Sequence, residues 1–364
     1  AALLLRSGYS SGKLHRPPPE AERKLRMTDE IRQRKADHLD LCATDQVAFR
    51  GQTTLLSQVR LVHQSLPELS LDELDLSTEL LGKVLRAPLV IAAMTGGHER
   101  AEEINRTLAG IAERRGYAFG LGSQRAMVLR PEAASTYRVR DVAPTALVLG
   151  NVGVVQAREM PTADVARMVE AIGADALCVH LNPAMELVQP EGDRDFRGCL
   201  ATLARLVREL PVPVVAKETG NGLSRRTVAQ LKDVGVIHVD TSGAGGTSWV
   251  GVETLRAEGG QRELGEALWD WGVPTAASVV YAARAGMKVI ATGGVATGHD
   301  VARAIALGAT VGGIARPVFM ALTQGGEPAA EAFLDGVERE LRAVMLLTGS
   351  RTPADLGLAE RRIG

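Results

Sequence analysis

The 364 residues carry 42 Lys and Arg against 43 Asp and Glu, with an ordinary apolar fraction. A charge so close to balance argues against a nucleic-acid surface or a polybasic membrane patch, so any anion site has to be built from local basic residues. No apolar run is long enough to span a bilayer, and Cys42, Cys178 and Cys199 stand in no paired or metal-ligand spacing, which fits free thiols in a reducing, cytoplasmic setting.

Ala1–Arg26 mixes Ser, Gly, Pro and Arg without periodicity, and Met27-Thr28-Asp29 reads as a natural start, so residues 1–26 are expected to be an artificially appended or disordered extension. Residues 27–87 form the next unit. Its opening stretch, Met27 to Lys35, is polar and helical in character, and Arg34, Lys35 and His38 share one helical face. Two cations and an imidazole at that spacing can grip a phosphate, or can simply be a solvated face; spacing leaves both open. Asp40 to Ala87 has apolar positions without a clear period and reads as a segment covering the bottom or side of the domain C-terminal to it.

From residue 88 to 364, apolar strands alternate with helices at intervals of about thirty residues, the spacing of βαβ units. The expected strands are Pro88–Met94, Ala118–Leu121, Ala146–Leu149, Ala176–His180, Val212–Ala216, Val236–Val239, Lys288–Thr292 and Thr310–Ile314. Helices are expected near Glu99–Arg115, after Pro131, from Thr162, near Phe196–Leu210, from Ser224 and over His299–Leu307, with a long loop through Gln189–Asp193 and a tight turn at Ala315-Arg316. Unbroken apolar runs suit parallel strands buried on both faces, and eight of them suit one closed (β/α)8 TIM barrel. A doubly wound open sheet is the other possibility, but its Gly-rich phosphate loop would come early, whereas here Gly293-Gly294 comes late.

Polar residues gather where these strands end: Thr95, Ser123, Arg125, Asn151, His180, Asn182, Lys217, Ser242 and Thr247. That is the face on which barrels place active sites. Gly293, Gly294 and the following helix start offer backbone N–H groups to an anion. Hydroxyls and amides (Thr95, Ser123, Asn151) can read ring heteroatoms, and Lys217 can set a cation beside a ring that gains negative charge on reduction, the setting of a flavin. Glu218, next in sequence, is a candidate to neutralise that lysine.

Taken together, RKADH (Arg34–His38), AMTGG (Ala93–Gly97), GSQR (Gly122–Arg125), NVG (Asn151–Gly153), HLN (His180–Asn182), QPEGD (Gln189–Asp193), KETGNG (Lys217–Gly222), DTSGAGGT (Asp240–Thr247) and TGGV (Thr292–Val295) resemble the type 2, FMN-dependent isopentenyl diphosphate isomerases from Met27 to the C-terminus. The resemblance implies interconversion of isopentenyl and dimethylallyl diphosphate, a 1,3-allylic proton shift with FMN kept reduced by NADPH. It implies FMN on Ala93, Met94, Thr95, Ser123, Asn151, Lys217, Ser242 and Thr247, with its phosphate on Gly293, Gly294, Val295, Ala315 and Arg316. It implies the substrate diphosphate on Arg34, Lys35, His38, Ser123, Gln124 and Arg125, the catalytic positions at His180, Asn182 and Met185, and Mg2+ on Glu186. A homotetramer or homo-octamer is implied as well, with no nucleic-acid or membrane partner.

Two departures stand out. Where the family has Gln before the magnesium Glu, this chain has Met185, which offers no N–H. In the family that Gln lies near the alkene. Either the flavin suffices and Met185 shapes the pocket, or Gln189 or His180 takes its place, or the chain acts on another prenyl-like diphosphate. The chain also ends soon after Arg351–Leu358, earlier than many relatives, which is expected to alter oligomer contacts. An FMN barrel oxidase of the α-hydroxyacid type is the other class in view; it needs a catalytic His late in the barrel, where His238 and His299 are the candidates.

Overall fold

A computed structural model describes residues 33–364, so the expectation for residues 1–26 lies outside the described residues. The strands in chain order are β1 (Val59–Leu61), β2 (Thr78–Leu80), β3 (Lys83–Leu85), β4 (Leu89–Ile91), β5 (Ala118–Gly120), β6 (Leu147–Gly153), β7 (Ala176–Leu181), β8 (Val214–Glu218), β9 (His238–Asp240), β10 (Lys288–Ala291), β11 (Val311–Ile314) and β12 (Arg361–Ile363). Strands β4 to β11 close into a barrel in which each pairs in parallel with the next and β11 returns to β4. This is the (β/α)8 barrel expected from the strand count.

The apolar runs explain the closure. Every residue of β6 and of β8 is buried. On one face, Leu147, Leu149, Ala176, Cys178, Val215 and Ile290 fill the barrel interior; on the other, Val148, Leu177, Val239 and Val289 meet the surrounding helices. Cys178 is therefore a core residue, and burial pushes its thiol up to about 12. The helix Glu99–Arg115 buries Ala101, Leu108, Ala109 and Ala112 and ends at Gly116, whose φ of 66° suits glycine.

The segment before the barrel covers more than one side of it. Residues 33–42 are helical and lie over the C-terminal mouth, where Leu39 and Cys42 pack with Val252 and Phe319. The chain then descends along the side, where β1 pairs antiparallel with β12. It finishes at the base as the hairpin β2–β3, which turns at Leu81 and Gly82, both at positive φ. Leu80 and Leu85 of this hairpin pack against the interior strand residues, so the base is plugged.

Two local expectations are corrected and one is given its helix type. The stretch 183–188, ahead of the Gln189–Asp193 loop, is a short helix opened by Pro183. The helix expected after Pro131 is present as a 3-10 helix, Pro131–Tyr137. Ala315-Arg316 is a helix start, not a tight turn: the helix Arg316–Leu347 follows, broken at Gly325 and Gly326. Among the described residues no helix is long and apolar enough to cross a membrane.

Candidate active site

A cavity of about 390 Å³ opens at the C-terminal ends of the barrel strands. One end is built from glycine. The loops after β9 and β10 run backbone against backbone: a Cβ on Gly246 would fall 2.2 Å from the Gly294 nitrogen, and one on Gly293 would fall 2.2 Å from the Gly243 oxygen. Gly293 and Gly294, at φ of 96° and 70°, present their backbone to the cavity with Val295. The helix beginning at Arg316 points its N-terminus to the same place, and its first N–H groups have no intrahelical acceptor. Such a cradle suits a phosphate.

The floor is lined by Ala93, Met94, Ser123, Asn151, Lys217, Ser242 and Thr247. Thr95 is buried just behind Gly122, and its Oγ1 has no hydrogen-bond partner among the described residues. Lys217 Nζ donates to Asp240 Oδ2 at 2.9 Å. Asn151 Oδ1 lies 2.8 Å from His180 Nδ1.

The opposite end is cationic. Arg34, Lys35, Arg125 and His180 come from different parts of the chain to one wall. Burial and then the neighbouring Arg34 and Arg125 push the Lys35 ammonium down to about 8. Burial and then Lys35 and Lys217 push the His180 imidazole down to about 3, so it stands neutral there. Arg34 Nε is buried with no partner among the described residues. Positive groups held this close, one with an unmet donor, call for an anion between them. Glu186, 6% exposed, adds one carboxylate to this wall; Asn182 Nδ2 donates to its Oε1 and the Asp193 N–H to its Oε2, each at 2.8 Å. Among the described residues no cluster of three or more His, Cys, Asp or Glu could hold a metal by itself. Any cation at Glu186 would have to complete its shell with ligand oxygens and water, as Mg2+ commonly does.

The profile of the FMN-dependent dehydrogenases matches residues 27–198 and 184–361. An isopentenyl-diphosphate delta-isomerase of Methanosarcina acetivorans is 44% identical over 328 residues, 89% of each chain. One of Synechococcus sp. is 47% identical over 322 residues, 87% of this chain and 92% of its own.

The chain belongs to the type 2 isopentenyl diphosphate isomerase family.

Among solved structures, a mandelate oxidase mutant with the monooxide FMN adduct superimposes with a TM-score of 0.65 at 18% identity, over 89% of this chain and 95% of its own. Mandelate oxidase with (S)-2-phenylpropionate gives 0.64 at 17%, over 93% and 98%. At such identities the likeness is one of fold.

Most residues expected from the isomerase motifs meet on this cavity, including His38, Asn182 and Met185. Three side chains do not, the first being Thr95, which is buried behind Gly122. Gln124 is fully buried and turned away: its amide accepts from the Asn151 N–H and donates to the Met168 carbonyl, bracing the ends of β5 and β6. Arg316 contributes backbone only, because its guanidinium donates to the Cys42 and Thr44 carbonyls and to Asp45. Glu218 does not neutralise Lys217. Successive strand residues point to opposite faces, so Glu218 instead accepts from the Thr219, Asn221 and Gly222 N–H groups, and its burial pushes it up to about 8. The oxidase alternative loses its histidines: His238 starts β9 beside Lys288 and His299 faces Glu340, neither on the cavity.

Glu253 and Trp249 were named by no motif, whereas Gln189 was. Glu253, fully buried, accepts from Arg256 and lies 2.8 Å from His38, tying residues 33–42 to the barrel. Trp249 meets the His38 ring edge-on at 5.2 Å. The SWVGVETLR run puts Trp249 and Glu253 four apart on one helical face, the sole clue in that stretch. Gln189, 1% exposed, lines the cavity with its Oε1 unpartnered among the described residues.

Proposed function

We propose that the chain converts isopentenyl diphosphate to dimethylallyl diphosphate by a 1,3-allylic proton shift with reduced FMN. The observation that carries the reading is one cavity with an anion seat at each end: a glycine and helix-terminus cradle at one, and Arg34, Lys35, Arg125 and neutral His180 at the other. A phosphate-tailed ring and a diphosphate fit that division. The cation of Lys217 on the cavity floor suits the ring of a flavin.

When bound, reduced FMN supplies an electron-rich surface and the acid/base function for the alkene; NADPH supplies the reducing equivalents. The chain's own residues do the rest. Arg34, Lys35 and Arg125 hold the diphosphate, which positions the reacting carbons through binding energy remote from them. Glu186, fixed by Asn182 and the Asp193 N–H, would hold Mg2+ against diphosphate oxygens. Met94, Met185 and Trp249 exclude water where protonation of the alkene develops positive charge. His180, neutral, gives its one N–H at Nδ1 to the Asn151 Oδ1, which leaves Nε2 as an acceptor. A cytoplasmic site of action and a homotetramer or homo-octamer belong to the same reading, as does the N-terminal segment 27–87 as substrate grip.

The test is direct. The FMN-loaded, NADPH-reduced protein incubated with isopentenyl diphosphate in D₂O should release deuterated dimethylallyl diphosphate. Absence of both product and label sinks the proposal.

A further inference from the structure

Asp240 is the last residue of β9, 4% exposed, and does not itself line the cavity. It nevertheless touches three residues that do. One carboxylate oxygen takes the Lys217 ammonium at 2.9 Å from β8, and the two side chains are only 9% and 5% exposed. The other oxygen accepts from the Thr292 hydroxyl, at the end of β10, and from the Ser242 N–H at 3.2 Å. Thr292 Oγ1 also accepts from that N–H, at 3.1 Å. Ser242 needs such a hold. Its φ is 34°, a left-handed value that a residue with a side chain adopts at a cost.

A buried carboxylate is costly unless its oxygens are satisfied, and removing one partner of a buried pair leaves the other uncompensated. Here every contact of Asp240 leads to the cavity floor, and together they join the ends of three adjacent strands. An ammonium aimed at a ring acts on it according to its place and its compensation.

We propose that Asp240 is a positioning residue for the flavin. It acts through Lys217, whose ammonium it aims and whose charge it offsets, and through Ser242, whose bend it fixes. The inference rests on the reading that FMN lies against Lys217.

The full-length protein is titrated with FMN and its bound-flavin midpoint potential measured for wild type, Asp240→Asn, Lys217→Gln, the double variant and Asp240→Glu. Asp240→Asn should weaken FMN by about tenfold and shift the potential. In the Lys217→Gln background the effect should be clearly smaller, the non-additivity expected of paired groups, the remainder being the part that runs through Ser242. Asp240→Glu, which keeps the charge, should recover part of the shift. Equal effects of Asp240→Asn in both backgrounds, or none in either, overturn the inference. If Asp240→Asn does not fold, Thr292→Val, which leaves the ion pair but removes the hydroxyl from the second oxygen and from the Ser242 N–H, should still shift the potential; an unchanged potential there overturns it too. A Lys217→Gln protein with wild-type affinity and potential sinks the flavin placement and the inference together. A shifted Lys217→Gln beside a silent Asp240→Asn sinks the inference alone.

Discussion

Met185 stands where the family resemblance implies a Gln. It sits on the helix Pro183–Val188, facing the cavity, with the Asn182 amide 4.0 Å from its sulfur. That amide is committed to Glu186, so the thioether brings no donor to the alkene. Met185→Gln should raise kcat by about tenfold with little change in KM, as expected when an acid/base group is restored. Steady-state rates on reduced enzyme check it, and a rate that stays level or falls rejects the handicap. Lys35 gives a second residue-level prediction. Its ammonium, pushed down to about 8, loses its charge as pH climbs past that point in the free enzyme. KM for the diphosphate should therefore rise above about pH 8, while Lys35→Arg, which stays protonated, should move that rise to higher pH. A flat KM profile from pH 7 to 10 would count against Lys35 as a diphosphate contact.

At the scale of elements, the hairpin β2–β3 shows what the sequence hides. The run STELLGKVLRAP has no clean alternation, because only Leu80 and Leu85 turn into the barrel while Val84 is left 75% exposed. The barrel strands were legible because they are buried on both faces and read as unbroken apolar runs. The helix Pro183–Val188 was not legible, since six residues are too few to show a period. Ala315-Arg316 misled because Pro317 resembles a turn signal yet also suits the first turn of a helix. At the site, motif positions told where side chains begin and not where they end: Gln124, Arg316 and Glu218 all stand in motifs or beside them but aim elsewhere. Asp240 stands inside a motif that assigns it no role, and only the pairing of β8 with β9 sets it opposite Lys217. Leu80→Ala and Leu85→Ala should each cost about 2–4 kcal/mol, the usual range for a core leucine. Thermal melts check this, and turnover per flavin-loaded molecule should hold. Stability unchanged in both variants would mean that the base does not depend on its plug.

At the scale of the molecule, residues before the barrel bind its top, side and base together. The Arg316 guanidinium holds the Cys42 and Thr44 carbonyls, Ser248 N–H donates to the Val47 carbonyl, and Phe49 N–H donates to the Gly246 carbonyl, all at the mouth. Down the side, β1 meets β12, with Arg303 donating to the Val59 carbonyl. Deleting residues 361–364 should lower the melting temperature by a few degrees, the shift expected of about 1–2 kcal/mol in a protein this large, and leave FMN affinity intact. A truncated protein melting at the wild-type temperature would show that the β1–β12 pairing adds little.

That pairing also fixes an order of events during biosynthesis. β1 leaves the ribosome roughly three hundred residues before its partner β12 is made, so no nascent chain can zip this seam until translation has passed the whole cylinder. Pairings of such wide separation close late and slowly. Seam formation therefore has to wait until all eight barrel strands have been made.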